Sequence, residues 1–124
     1  MNREDGSVSV VAAAIAAAIV MLALCAADLA KALDVASKAQ TAADAAALAA
    51  AQELAIPGGR EPSDLAAEYA DRNGAELRSC TCDAGTYEAT VVVRVPIGDL
   101  IVLGDGRAVE ATARAVVDLD GPTG

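Results

Sequence analysis

An uncharged apolar stretch of twenty residues, Val8–Ala27, constrains this chain more than any other feature of its sequence. At a rise of about 1.5 Å per residue, a helix of that length covers a hydrocarbon core of roughly 30 Å. The first six residues, MNREDG, are mainly acidic in charge, whereas a secretory signal normally opens with a positive region. We therefore predict a short leader, residues 1–6, and then the transmembrane half of a long helix, residues 7–27.

The helical pattern continues beyond the apolar stretch. Alanine, the strongest helix former, dominates the sequence up to Pro57-Gly58-Gly59, which is a strong helix terminator. One helix is thus predicted from Ser7 to Ile56, with residues 28–56 as an amphipathic, extracytoplasmic half.

Two faces are expected on that second half. Leu29, Leu33 and the alanines between them form the apolar face, which is available to cover other elements. Asp28–Lys31 and Asp34–Lys38 are expected ion pairs at favourable helical spacing on the opposite face. The full polar stripe comprises Asp28, Lys31, Asp34, Lys38, Thr41 and Asp44.

Residues 57–124 are predicted to form a small αβ head domain. Ser63 is the expected N-cap of a short helix that ends at Asn73. Beyond it the hydrophobic period changes from 3.6 to 2, which predicts β-strands. The predicted strands are Ala75–Cys82, Thr86–Val95 and Arg107–Asp118, and the inward side chains of the middle strand are Tyr87, Ala89, Val91, Val93 and Val95.

Three antiparallel strands with one apolar face need a cover, and the second half of the long helix can provide it. The predicted fold class is therefore α+β: a long N-terminal helix, a short second helix, and a small three-stranded antiparallel sheet packed on the long helix. Ile97–Gly106 stays open between a short helix, a strand and a buried loop. Its Leu100–Leu103 run is the apolar feature that could serve a partner.

Composition argues against several classes of function. The chain has no histidine, which removes the usual general base and the commonest metal ligand. A net charge of −9 with only two aromatic residues lacks the features of a nucleic-acid binder. Asp118 and Asp120 are expected to be solvated surface charges. We predict no catalytic residues, no metal site, no cofactor and no nucleic-acid partner.

The three cysteines fall into two settings. Cys25 lies in the apolar stretch and is expected to be a small apolar residue there. Cys80 and Cys82 share one face of a predicted strand, outside the cytoplasm, where disulfides persist. A local disulfide, an intermolecular disulfide and two free thiols all remain open. With Asp83 alone beside them, the two thiols fall short of a tetrahedral metal site.

The segment Ala39–Ala51 (AQTAADAAALAAA) resembles the "AQxAADAAALAAA" run of the TadE/TadG-like pilus-assembly proteins, especially those of actinobacteria. Tyr69–Leu77 is similar to their short helix that ends in "NGA". The resemblance covers most of the chain and is strongest from Gly6 to Leu77. It implies a type IV pilin-like fold and a minor pilin or pseudopilin of a tight-adherence (Flp-type) system.

The same resemblance implies partners and a location. The partners would be other pilin or pseudopilin subunits or Tad assembly proteins, a prepilin-type leader peptidase, and membrane lipid. The chain would cross the cytoplasmic membrane once, with its N-terminus in the cytoplasm and its head outside, or would enter an extracellular filament after assembly.

Gly6 and Ser7 are the candidate leader-peptidase cleavage site, because glycine presents no side chain to a narrow cleft. The alternative is that Gly6 is only the N-terminal cap of the helix. By the resemblance, cleavage would leave Ser7 as the mature N-terminus. Classical type IV pilins carry glutamate five residues after the cut, whereas this chain has Val11.

Alanine spacing in the long helix predicts close helix packing in lipid, through small residues such as Ala12, Ala16, Ala27 and Ala30. The alternative is that these alanines reflect genome composition. The leading hypothesis is thus a non-catalytic assembly subunit. A single-pass, membrane-anchored binding module is the second hypothesis, and a secreted domain with a signal cut near Ala27 is the third.

Overall fold

A computed structural model of the chain describes residues 3–121, so Met1 and Asn2 of the predicted leader and residues 122–124 of the predicted head lie outside the described residues. Within this range the elements are α1 (Arg3–Ala55), α2 (Pro62–Arg72), β1 (Glu76–Asp83), β2 (Glu88–Pro96) and β3 (Ala108–Val116). The predicted α+β arrangement of a long helix, a short helix and a three-stranded antiparallel sheet is confirmed.

The first element, α1, is one unbroken helix of 53 residues, about 80 Å long at 1.5 Å per residue. It begins before the predicted start at Ser7, so Gly6 lies inside the helix and its alternative role as an N-terminal cap is wrong. At the other end, the Glu53 carboxylate accepts the backbone N–H of Gly58 at 2.7 Å and that of Arg60 at 2.9 Å. These bonds turn the chain away from the helix axis.

The two halves of α1 lie in different surroundings. Between Asp5 and Ala27 every residue is exposed except Leu24, which is half-buried. After Asp28 one side of the helix is buried against the rest of the chain. The apolar members of this buried face are Val35, Ala39, Ala42, Ala43, Ala46, Ala47, Ala50 and Ala51.

The prediction that Leu29 and Leu33 lie on the face of α1 that covers other elements is wrong. Leu29 is 61% exposed and Leu33 is 62% exposed. The face that packs consists almost entirely of alanine because small side chains let the sheet approach the helix closely. A prediction based on the size of the apolar side chains therefore chose the wrong side of the helix.

Strand β2 lies between β1 and β3 and is antiparallel to both. Val91 pairs with Ala113 and Val93 with Ala111, and all four side chains are buried. The sheet therefore presents its valines to the buried side of α1, and α2 adds Ala66 and Ala70 to the same core. This fit of larger side chains against smaller ones is how a sparsely aromatic head fills its interior.

The start of α2 differs from the prediction. Pro62 is the first helical residue, Glu61 holds the N-cap position, and no side chain caps the helix there. Ser63 is therefore not the N-cap. Proline is favoured at the first position of a helix because it lacks the N–H that would otherwise be left unpaired, and this preference sets the boundary.

Two further segments refine the predicted sheet. Tyr87 has a φ of 55° and lies in the turn before β2, so it is not an inward residue of the strand. Ile97–Gly106, which the sequence left open, is a loop with one isolated bridge between Leu100 and Gly104. The strand pattern elsewhere is as predicted, with Ala89, Val91, Val93 and Val95 buried.

We expect Val91→Ala to lower the free energy of unfolding of the head by about 2 kcal/mol, because it removes buried methyl groups and leaves a cavity. Val92→Ala, on the less buried side of the same strand, should cost less than half as much. The measurement is chemical denaturation of the full chain in detergent micelles, followed by tyrosine fluorescence. Both tyrosines, Tyr69 and Tyr87, lie in the head. Equal effects of the two substitutions would contradict this packing.

Candidate functional site

The loop between β2 and β3, residues 97–107, contacts α1 where the apolar stretch of the helix ends. We call it the boundary loop. The backbone N–H of Ile97 donates to the carbonyl of Arg107 at 3.0 Å and closes the base of the loop. The N–H of Leu100 donates to the carbonyl of Gly104 at 2.9 Å and closes its tip. Gly104 has a φ of 77°, which a residue with a side chain adopts only with strain, so the tight reversal depends on glycine.

Asp28 binds the tip of this loop through three backbone donors. Its Oδ1 accepts the N–H of Ile101 at 2.7 Å, and its Oδ2 accepts those of Val102 at 2.7 Å and Leu103 at 3.2 Å. The residue is only 4% exposed. Hydrogen bonds to a charged acceptor are stronger than those between neutral groups, so one carboxylate fixes the loop on the helix.

The ion pair predicted between Asp28 and Lys31 is replaced by contacts of both residues with the boundary loop. Lys31 Nζ donates to the carbonyl of Asp99 at 2.7 Å. In contrast, the predicted pair of Asp34 and Lys38 forms, with 2.9 Å between its charged atoms. The sequence placed Asp28 on the polar stripe of the helix. Nothing in its local pattern could have indicated that it meets residues more than seventy positions away.

Opposing effects set the charge state of Asp28. Burial raises the pKa of its carboxyl group. The N–H groups of Val102, Ile101 and Leu103, with the positive charge of Lys31, lower it, and the net pKa lies below the ordinary aspartate value. The carboxylate is therefore ionised near neutral pH, which is the form that accepts all three hydrogen bonds.

The tip of the boundary loop divides its apolar side chains between the protein and the outside. Leu100 is 6% exposed and holds the loop in place. The next three residues, Ile101, Val102 and Leu103, are 66%, 41% and 54% exposed. We call these three residues the apolar tip. They form an exposed apolar run directly beside the end of the apolar stretch of α1.

The predicted cleavage site lies on the exposed surface of α1. Gly6 and Ser7 are both helical and exposed, and a Cβ built at Gly6 would meet nothing within 4 Å. Packing among the described residues therefore gives no reason for glycine at this position. Glycine inside a helix costs about 1 kcal/mol relative to alanine.

The candidate packing alanines share one side of α1. At about 100° per residue, they lie within about 60° of each other around the helix axis, on the side away from Asp28 and Val35. All of them are exposed: Ala12, Ala16, Ala27 and Ala30. We call this side the alanine face, and the head leaves it uncovered.

Cys80 and Cys82 are joined by a disulfide in the structure, with their Cα atoms 5.7 Å apart. Both are half-buried against the core. Cys25 is a free and exposed cysteine on the apolar half of α1. Among the described residues, no group of three or more histidine, cysteine, aspartate or glutamate side chains is placed to hold a metal ion.

A continuous helix with an apolar first half, whose second half packs on a small antiparallel sheet, is the arrangement of pilin-like proteins. Residues 6–53 match the model of a family described as putative Flp pilus-assembly TadE/G-like. The long helix of this chain is thus similar to a TadE/G-like pilus-assembly segment, and that similarity supports an accessory role in pilus assembly. No curated protein and no solved structure matches the chain.

We expect Asp28→Asn to release the boundary loop, because the amide places an N–H group where the carboxylate accepted hydrogen bonds. Hydrogen exchange at the amides of Ile101, Val102 and Leu103 should accelerate by about tenfold or more. Asp34→Asn, an exposed aspartate on the same helix, is the control and should leave these amides unchanged. Unchanged protection in Asp28→Asn would show that the carboxylate does not hold the loop.

Proposed function

We propose that this chain is a non-catalytic structural or accessory subunit, a minor pilin or pseudopilin, of a Tad/Flp-type pilus or secretion assembly. The observation that carries the proposal is the length and exposure of α1 together with its match to the pilus-assembly family. The family match covers most of its length, and from Asp5 to Ala27 every residue except Leu24 is exposed. An uncovered apolar helix of this length requires lipid or other helices around it.

The first half of α1 is long and apolar enough to span a membrane. We propose that Val8–Ala27 is a single-pass anchor in the cytoplasmic membrane, with the N-terminus in the cytoplasm and the head outside. Asp28 and Lys31, the first charged residues after the stretch, both bind the head. The head would then begin directly at the membrane surface.

Leader removal after Gly6 is part of the proposal. The support is that a Cβ at this position would meet nothing within 4 Å among the described residues, and that glycine weakens the helix around it. A peptidase must take its substrate out of helical geometry, and a weakened first turn lowers the cost of doing so. The enzyme would be a prepilin-type leader peptidase.

The alanine face supports assembly through helices. Small residues let helix backbones approach closely in lipid, where packing rather than hydrophobicity drives association. Because the face points away from the head, another helix can reach it without displacing the head. The proposed partners are other pilin or pseudopilin subunits or Tad assembly proteins.

Val11 favours the second candidate, a single-pass anchored module whose extracytoplasmic head binds a partner without entering a filament. In classical pilins the glutamate at this position is thought to pair with the N-terminal amine of a neighbouring subunit, and valine cannot do so. The two candidates differ in whether the alanine face contacts another helix.

The first test is the N-terminal sequence and intact mass of the chain from its native membrane. We expect a start at Ser7, with or without an added methyl group. Gly6→Leu should leave the leader attached, because a bulky side chain obstructs the cleft. Val10→Leu, an apolar substitution in the same part of the helix, should be processed normally. A chain that starts at Met1 would reject processing, and a start near Asp28 would indicate a secretory signal.

The second test is disulfide cross-linking in the membrane, in a Cys25→Ser background. Ala16→Cys lies on the alanine face, and Ala14→Cys lies on the opposite side of the same turn. We expect several-fold more cross-linked product from Ala16→Cys, because its face packs against another helix. Equal or absent cross-linking from both variants would favour the anchored module.

A further inference from the structure

The boundary loop brings its apolar tip to the part of the head nearest the apolar stretch of α1. Along the loop, Asp99 binds Lys31 and the tip binds Asp28. The two binding residues are three positions apart on the helix, so the tip lies about 4.5 Å nearer its N-terminal end than Asp99 does. Asp28 directly follows the last residue of the uncharged stretch. Leu24, one turn earlier, is half-buried, as expected if the loop reaches past Asp28.

The side chains of the apolar tip suit a nonpolar environment. Ile101, Val102 and Leu103 are consecutive and at least 41% exposed, and no charged residue interrupts them. Soluble surfaces commonly expose single apolar residues, whereas a contiguous exposed run marks a site of interaction. The charged residues Asp99 and Asp105 flank the run and set a limit on how much of the loop can leave water.

The backbone of the tip is also prepared for a nonpolar environment. A peptide N–H without a partner is costly in lipid because no water is present to bond it. The N–H groups of Ile101, Val102 and Leu103 all donate to Asp28, and that of Leu100 donates to Gly104. The carbonyl of Leu103 accepts from Arg107 Nε at 3.4 Å. Asp28 thus accepts the backbone N–H groups of the tip from the helix side, and the side chains of the tip stay exposed.

We propose that the apolar tip inserts into the outer interfacial region of the lipid bilayer beside α1. This inference rests on the proposed membrane anchorage by Val8–Ala27. The head would then contact the membrane at two points, the helix and the tip, with Asp28 as the residue that positions the tip. Interfacial segments bury their apolar side chains about 5–10 Å into the boundary of headgroups and acyl chains, a depth that three residues can occupy.

The test uses nitroxide labels on the full chain in phosphatidylcholine vesicles. Val102→Cys places a label in the apolar tip. Val116→Cys is the matched control, because Val116 is 54% exposed at the opposite end of the sheet. Both variants carry Cys25→Ser, and no reductant is added, so that Cys80 and Cys82 stay joined. Collisions with lipid-soluble oxygen and with a water-soluble nickel chelate report the surroundings of each label.

We expect the ratio of oxygen to nickel collisions to be several-fold higher at position 102 than at position 116. Equal, water-like ratios would overturn the proposal. A label at position 102 that is shielded from both reagents would overturn it in favour of a contact with a neighbouring protein subunit. A third label, Ile15→Cys, separates the two levels of inference. If it is not in lipid, the anchorage fails, and if it is in lipid while position 102 is in water, only this inference fails.

A second variant tests the positioning role of Asp28. Adding Asp28→Asn to the Val102→Cys chain should move the collision ratio at position 102 towards its value in water, because the released tip loses its hydrogen-bonded form. The same substitution in the Val116→Cys chain should leave the ratio there unchanged, which shows that the head is still folded. An unchanged ratio at position 102 would overturn the assignment of Asp28.

Discussion

The packing of the buried side of α1 on the valines of β2 is the interaction on which the rest of this structure depends. Val91 and Val93 are fully buried against α1, whose own contact residues are mostly alanine. Alanine also maintains the helix, because it loses no side-chain freedom there. One residue type therefore serves two purposes, since it keeps α1 continuous through both halves and lets a thin sheet lie close to it.

Two carboxylates on α1 secure the ends of this contact. Asp28 binds backbone N–H groups of the boundary loop, and Glu53 binds those of the segment after the helix. The N–H of Arg60 is the main cause of the lowered pKa of Glu53, and its effect outweighs that of burial. Both residues thus remain charged near neutral pH, and each lies where the head begins or ends its contact with α1. The core itself is apolar, and a charged carboxylate on α1 lies at each end of it.

Much of the fold could be predicted from the hydrophobic periodicity of the sequence and from its helix-terminating residues. The uninterrupted helical pattern, the Pro-Gly-Gly terminator and the alternating valines of β2 each depend on local rules, and each gave the correct element. The errors arose where distant packing decided the outcome. Leu29 and Leu33 were predicted to lie on the packing face, yet the residues of α1 that contact the sheet are mostly alanine. The partners of Asp28 could not be predicted because only the fold brings the boundary loop to the helix. Gly6 and Ser7 remain a prediction, since their role depends on an enzyme outside the chain.

The side of α1 on which the head lies has a consequence for any assembly built from this chain. The alanine face and the head occupy opposite sides of one helix that contains no proline and no glycine between Ser7 and Ala55. Without a hinge, the helix fixes the angle between them. If copies or partners associate through the alanine face, each head must project radially outward from the bundle axis. Such an assembly would have a helical centre and a surface formed by the outer face of each sheet.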